Sequence, residues 1–228
     1  WREMFELWAE LPEYATRIKE AENNIKQILL SENPVVLYSG GKDSLVLLHM
    51  VMKQNDSVPV YYSDSGYDYE SQQIKMPKAM TDDIIKIGKE AGAKILYSCG
   101  HSTPNSRKFF GNLFRVMKKH NCNVELLGIR GGESSMRKAR VDGPLVRREG
   151  TRRVAFPLRC LDWRDIWAYL VTNNVRYLSY YDKYAEVEGG YDKVRLTSRF
   201  SRGMIHKGGS YYIDGVMMPE YRNERPGD

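Results

Sequence analysis

The chain has 228 residues, with 35 Lys and Arg against 29 Asp and Glu, a net charge of +6 and 42% hydrophobic residues. That composition supports a real core and one sizeable domain, and no apolar run approaches the ~18 residues of a membrane span. The 3 cysteines, Cys99, Cys122 and Cys160, lack CxxC spacing, which argues against a disulfide framework and leaves no iron–sulfur cluster or self-sufficient zinc site expected.

In chain order, residues 3 to 31 carry a helical period (Met4, Leu7, Trp8, Leu11, then Ile18, Ala21, Ile25, Ile28, Leu29) interrupted near Pro12. The opening "WREMFELWAELPEY" is amphipathic and charged, unlike a secretory leader; the cysteine usage makes a reducing cytoplasm the default compartment. Short β-rich runs follow: "VVLYS" at 35, "VPVYYSD" at 58, "KILYS" at 94, "VELLGI" at 124 and "VAFPL" at 154. Helical candidates occupy 43 to 54, 70 to 91 and 105 to 120. Continuous apolar strands separated by helices predict an α/β fold with a parallel sheet of about five strands, covered by helices on both faces. "LDWRDIWAYL" is the clearest late helix, capped by Asp162 with Asp165 three residues on, and its Trp163 and Trp167 read as core. The expected division is 1–32 helical segment, 33–174 α/β domain and 175–228 small C-terminal extension.

The junction of first strand and helix reads Ser39-Gly40-Gly41-Lys42-Asp43-Ser44. Ligands of open α/β sheets bind beyond the carboxyl ends of strands, where a following helix presents unpaired N–H groups. Gly40 and Gly41 allow close backbone approach to phosphate oxygens, Ser39 and Ser44 can donate, and Lys42 adds a positive charge. This is not a Walker A loop: Val36 stands where that motif needs glycine, and Asp43 follows the lysine. An acid beside phosphates calls for a cation between them, which makes Asp43 a candidate Mg²⁺ ligand.

The string SGGKDS in this context resembles the pyrophosphate loop of the PP-loop ATP pyrophosphatases, the adenine nucleotide alpha hydrolase-like superfamily. "YYSDSGYDYE" resembles that superfamily's second-strand element. "GIRGGESSMRKAR" and "PLRCLDWRDIWAYL" are similar to segments of its phosphoadenosine phosphosulfate reductase branch. The resemblance covers roughly residues 33 to 182 and implies a Rossmann-like fold that binds ATP with Mg²⁺ and cleaves it between the α and β phosphates to adenylate a second substrate. Carried over, Ser39, Gly40, Gly41, Lys42, Asp43 and Ser44 hold the phosphates, Asp64, Ser65 and Gly128 contact the nucleotide, and Lys42 and Arg130 are catalytic. A guanidinium at Arg130 can stabilise charge on the α-phosphoryl group as pyrophosphate leaves. Glu133 and Arg137 position the second substrate or pair with each other, four residues apart on a helix.

Within the branch, reductases carry a nucleophilic cysteine in a C-terminal motif, and this sequence has no cysteine after Cys160; reductase chemistry is therefore disfavoured. Three readings remain. One is an ATP pyrophosphatase or adenylyltransferase in sulfur-related or nucleic-acid modification chemistry. Another is a sulfate adenylyltransferase small subunit with a partner subunit. The last is a non-catalytic, nucleotide-dependent nucleic-acid-binding subunit. Seven cations from Arg137 to Arg153 (Arg137, Lys138, Arg140, Arg147, Arg148, Arg152, Arg153) face only Asp142 and Glu149. This stretch is expected to meet a second anionic substrate, nucleic acid or sulfate, through residues such as Arg147 and Arg148, or to close over ATP. Little apolar surface accompanies it, so its order is expected to depend on the ligand. His49 reads as a buried or edge residue, Cys160 as a small core residue, and Cys99 with His101 as too sparse for a metal site.

Overall fold

The computed structural model describes residues 1–63, 78–99, 107–133, 135–194, 212–213 and 216–217. Two helices open the chain, α1 (Arg2–Ala9) and α2 (Pro12–Ser31). Pro12 separates them by starting the second: at the first helical position its missing N–H would have lacked a partner anyway.

Six strands form one sheet: β1 (Pro34–Tyr38), β2 (Val60–Ser63), β3 (Leu96–Cys99), β4 (Val124–Leu127), β5 (Val146–Glu149) and β6 (Arg152–Ala155), in the order β3-β2-β1-β4-β6-β5. All neighbours run parallel except β5, which pairs antiparallel with β6 at the edge. Strand alternation divides the apolar residues between two faces. Val36, Tyr38, Val60 and Tyr62 join the larger core with α1, α2, α3 (Lys42–Gln54), α4 (Lys78–Glu90) and α7 (Trp163–Thr172). Val35 and Tyr61 face the opposite way, against Leu113 and Val116 of α5 (Arg107–Lys119). The fold is thus the α/β architecture expected, Rossmann-like and covered on both faces. Two further helices, α6 (Ser135–Val141) and α8 (Tyr180–Glu188), and a short hairpin of β7 (Tyr212–Ile213) and β8 (Val216–Met217) complete the described elements.

The sixth strand is a departure from expectation, and so is the manner in which the basic stretch is ordered. Arg140 holds Glu149 through two bonds of 2.9 and 2.7 Å. Arg153 grips Glu32 through two more, and Arg152 pairs with the buried Glu125 while lying 4.8 Å from the Phe110 ring centre. Gly150, with φ +63°, turns β5 into β6. The expectation that only a ligand could order this segment is corrected: most of its acidic partners, Glu32 and Glu125, lie outside it in sequence.

The boundaries drawn near residues 32 and 174 do not divide the core. Phe5, Ile25, Leu178, Tyr181 and Val194 are buried in the same cluster as the sheet's larger face. One carboxylate ties the N-terminal helices to the rest. Asp162 and Asp165 form the anticipated capping box at the start of α7. Asp165, fully buried, also accepts from Trp8 Nε1 at 2.9 Å and from Arg17 Nε and Nη2 at 2.7 Å each. Trp167 is fully buried and Trp163 packs on the core's margin, where Arg164 lies between it and Trp8. Asp165→Ala leaves the Arg17 charge and the Trp8 N–H without their acceptor, at a cost of about 3–5 kcal/mol; urea unfolding of both proteins measures it, and a loss below about 1 kcal/mol contradicts this role.

Candidate active site

The strand order reverses between β1 and β4, the place where open α/β sheets leave a crevice at their carboxyl ends. Leu37 pairs with Leu127, so both chains leave the sheet at the same level. β1 delivers residues 39–41 and then α3, while β4 delivers Gly128 and Arg130.

Gly40 has φ +81°, and a Cβ there would lie 2.7–2.9 Å from three atoms of Ile84 on α4. Only glycine fits both the left-handed backbone and the contact. Gly128 is equally constrained, for a different reason: a Cβ there would stand 2.8 Å from the Asp43 carbonyl oxygen and 2.9 Å from Ser44 Cα. The obstacle is backbone, which cannot swing aside. Gly128 thus serves as the seat on which the first turn of α3 rests. Nothing in the sequence distinguished that from the nucleotide contact expected of it.

This close approach carries Arg130 onto Asp43. Arg130 Nε donates to Asp43 Oδ1, and Lys42 Nζ lies 3.3 Å from Asp43 Oδ2. Side-chain exposure is 9% for Lys42, 6% for Arg130 and 19% for Asp43, so the three charges interact with little solvent between them. Burial alone would raise the Asp43 pKa, but the charges of Lys42 and Arg130 outweigh it and hold the carboxyl below its ordinary value. Because the folded value is the lower one, the network's stabilisation is complete above the ordinary carboxylate range. It is lost as pH falls through the depressed folded value.

The two serines brace the loop. Ser44 Oγ donates to the Gly41 carbonyl at 2.9 Å, accepts from the Ser39 amide at 3.1 Å and lies 3.0 Å from Ser39 Oγ. The backbone amides of Asp43 and Ser44, in the first turn of α3, have no carbonyl four residues back within the helix. The Lys42 amide is engaged instead by Tyr181 Oη at 3.1 Å. Tyr181 comes from α8, 139 residues away. Sequence reasoning missed it, since nothing marks one tyrosine among 16.

Of the remaining candidates, Asp64, Ser65 and His101 fall outside the described residues, as do the side chains of Glu133 and Cys99. Gly131–Glu133 is a 3₁₀ turn and α6 starts at Ser135, so Glu133 and Arg137 do not share one continuous α-helix. Arg147 and Arg148 are not gathered with Lys42 and Arg130: β5 is separated from β1 by β4 and β6. Arg147 Nη1 donates to the Arg140 carbonyl, whereas Arg148, Arg137 and Lys138 are exposed. His49 Nδ1 lies 2.9 Å from Tyr169 Oη, at the margin of the core as anticipated. Gly128→Ala forces the α3 turn off its seat, at about 1–3 kcal/mol of stability, and separates Arg130 from Asp43. Calorimetry should show a lower melting temperature together with weaker ATP binding, and unchanged values of both would refute the seating role.

Residues 33–196 match the phosphoadenosine phosphosulfate reductase domain family. The chain is 27% identical over 185 residues to sulfate adenylyltransferase subunit 2 of Acinetobacter baylyi, covering 66% of this chain and 60% of that protein. It therefore spans less than two thirds of that relative's length. It is 23% identical over 200 residues to phosphoadenosine 5'-phosphosulfate reductase of Xanthomonas axonopodis pv. citri, covering 79% of this chain and 78% of that one. Among solved structures, FMN adenylyltransferase of Candida glabrata with FMN and an ATP analogue superposes with a TM-score of 0.55 at 15% identity, covering 79% of this chain and 66% of that one. The phosphoadenylyl-sulfate reductase of Candida auris gives 0.53 at 17% identity, covering 79% and 89%; both show the shared fold. With the family match spanning most of its length, the chain belongs to the phosphoadenosine phosphosulfate reductase domain family of the PP-loop superfamily.

Proposed function

We propose that this chain binds ATP at residues 39–44, cleaves it between the α and β phosphates and passes the adenylyl group to an anionic second substrate. The observation that carries this reading is the buried Lys42–Asp43–Arg130 cluster, which sets two cations on one carboxylate at the mouth of a helix N-terminus. Lys42 and the α3 amides hold the β and γ phosphates, where a charge-assisted contact is strongest. Arg130, arriving from β4, faces the α-phosphoryl group. An acceptor oxygen forms the new bond to the α-phosphorus as the bond from that phosphorus to the bridging oxygen breaks. The electron pair leaves on pyrophosphate, whose charge Lys42 and the loop amides receive. Both cations are in place before the substrate arrives, so little reorganisation accompanies the reaction.

Among the described residues no cluster of three or more His, Cys, Asp or Glu can hold a metal ion by itself. Mg²⁺ at nucleotide sites is carried chiefly by the phosphates and met by one or two carboxylates; Asp43 would be that carboxylate only by giving up Lys42 at Oδ2 or Arg130 at Oδ1. When bound, the ion supplies further neutralisation of the phosphate charge.

Reduction is the less favoured activity. Burial pushes the Cys122 thiol up to about 11 and the Cys160 thiol up to about 12, and Cys160 Sγ sits 3.5 Å from the Arg17 carbonyl. Neither is a thiolate at neutral pH, which sulfur attack requires. For the acceptor, the likeness to a sulfate adenylyltransferase subunit supports sulfate, with a partner subunit alongside. The exposed Arg137, Lys138 and Arg148 support a larger polyanion such as nucleic acid. No helix among the described residues is long and apolar enough to cross a membrane, and the cytoplasm remains the compartment proposed.

Incubation with α-labelled ATP and Mg²⁺, with sulfate or nucleic acid as acceptor, should yield AMP or an adenylated product together with pyrophosphate. Arg130→Ala should lower turnover more than ATP affinity, since its contact strengthens as charge develops on the α-phosphoryl group. ADP and phosphate as the only products would overturn the mechanism.

A further inference from the structure

The Lys42 amide is the first N–H of α3, and at an anion-binding helix start it would ordinarily point to the ligand or to water. Here it donates to Tyr181 Oη at 3.1 Å. Tyr181 is only 2% exposed, packs edge-on against Trp167 with ring centres 5.0 Å apart, and has its ring centre 5.7 Å from Lys42 Nζ. Such packing excludes a loose plug that a phosphate would push aside. The phenol has one proton and two acceptor lone pairs. The Lys42 bond uses a lone pair, so the proton is left to give. Burial, aided by the Asp43 charge and opposed by the Lys42 amide, raises the phenol pKa, and the group stays a neutral donor. Gly41 lies beside it: a Cβ there would start 3.4 Å from Ser39 Oγ and 3.8 Å from Tyr181 Oη, so the hydroxyl borders the loop itself.

We infer that Tyr181 is a positioning residue of the phosphate loop, taking the Lys42 N–H on one side and donating its own hydroxyl proton to the β or γ phosphate on the other. The inference rests on the nucleotide-binding reading above and extends it. The loop's cradle includes a side chain from α8, so the pyrophosphate end of the nucleotide is sensed by the helix that follows the Trp167 core. AMP, which lacks the β and γ groups, should be indifferent to this hydroxyl.

The test compares ATP, pyrophosphate and AMP binding by calorimetry for the full chain and for Tyr181→Phe, which keeps the ring on Trp167. The expected result is about tenfold weaker pyrophosphate and ATP binding, as for a lost bond to a charged group, with AMP affinity unchanged. A folded variant that binds pyrophosphate as tightly as wild type, or that weakens all three ligands alike, would overturn the positioning role and leave the nucleotide reading intact. Wild type that binds neither ATP nor pyrophosphate would overturn the nucleotide reading and this inference with it. Should the Phe variant fail to fold, 3-fluorotyrosine placed at position 181 decides: its fluorine resonance should shift with pyrophosphate and not with AMP. No shift at saturating pyrophosphate would count against the hydroxyl contact.

Discussion

A single carboxylate between two cations organises the site. Asp43 meets Lys42 and Arg130 in a space where none of the three side chains is more than 19% exposed. An ion left alone there would cost several kcal/mol, so each member requires the others. The cluster exists because Gly128 has no side chain. Backbone lies 2.8 Å from where its Cβ would be, so only a glycine there lets the end of β4 lie against the first turn of α3. The cluster lies beside a helix N-terminus, a place suited to an anion.

The rest of the fold holds this arrangement in register. Parallel pairing of β1 with β4 sets both chain ends at one level. Ile84 of α4 supports Gly40 from below, and Tyr181 of α8 fastens the Lys42 amide. Farther out, buried Asp165 gathers Trp8, Arg17 and the cap of α7, fixing the layer from which Trp167 supports Tyr181. The loop is therefore held from several directions, by Tyr181 at its edge and by residues behind it that lie away from the crevice, which is the support a preorganised site needs.

The turn of the loop was legible in the sequence because its residues are contiguous: six of them join the end of a strand to the start of a helix. The parallel sheet was legible because its strands are apolar on both faces. What escaped was whatever depends on distance along the chain. Arg130 and Asp43 are 87 residues apart, Tyr181 and Lys42 139, and Asp165 and Arg17 148. Strand β5 escaped because "VRRE" has no apolar alternation; as an edge strand it carries charge where an inner strand would carry valine. The basic stretch looked unsupported for the same reason, since Glu32 and Glu125 lie outside it. The need for glycine at position 128 was likewise hidden, because the Asp43 backbone it admits lies far away in the sequence.

These pairings also sort the chain's positive charge into two kinds. Arg140, Arg152 and Arg153 are bound to Glu149, Glu125 and Glu32 and secure the sheet edge. Lys42 and Arg130 instead meet at Asp43, at the crevice between β1 and β4. The most direct measurement compares the melting temperature of wild type and Asp43→Asn with and without pyrophosphate. If Asp43 is what holds two buried cations together, the variant should be less stable by about 3 kcal/mol, and pyrophosphate should stabilise it more than wild type by supplying the missing negative charge. A variant as stable as wild type, or an equal gain from pyrophosphate in both proteins, would contradict the account.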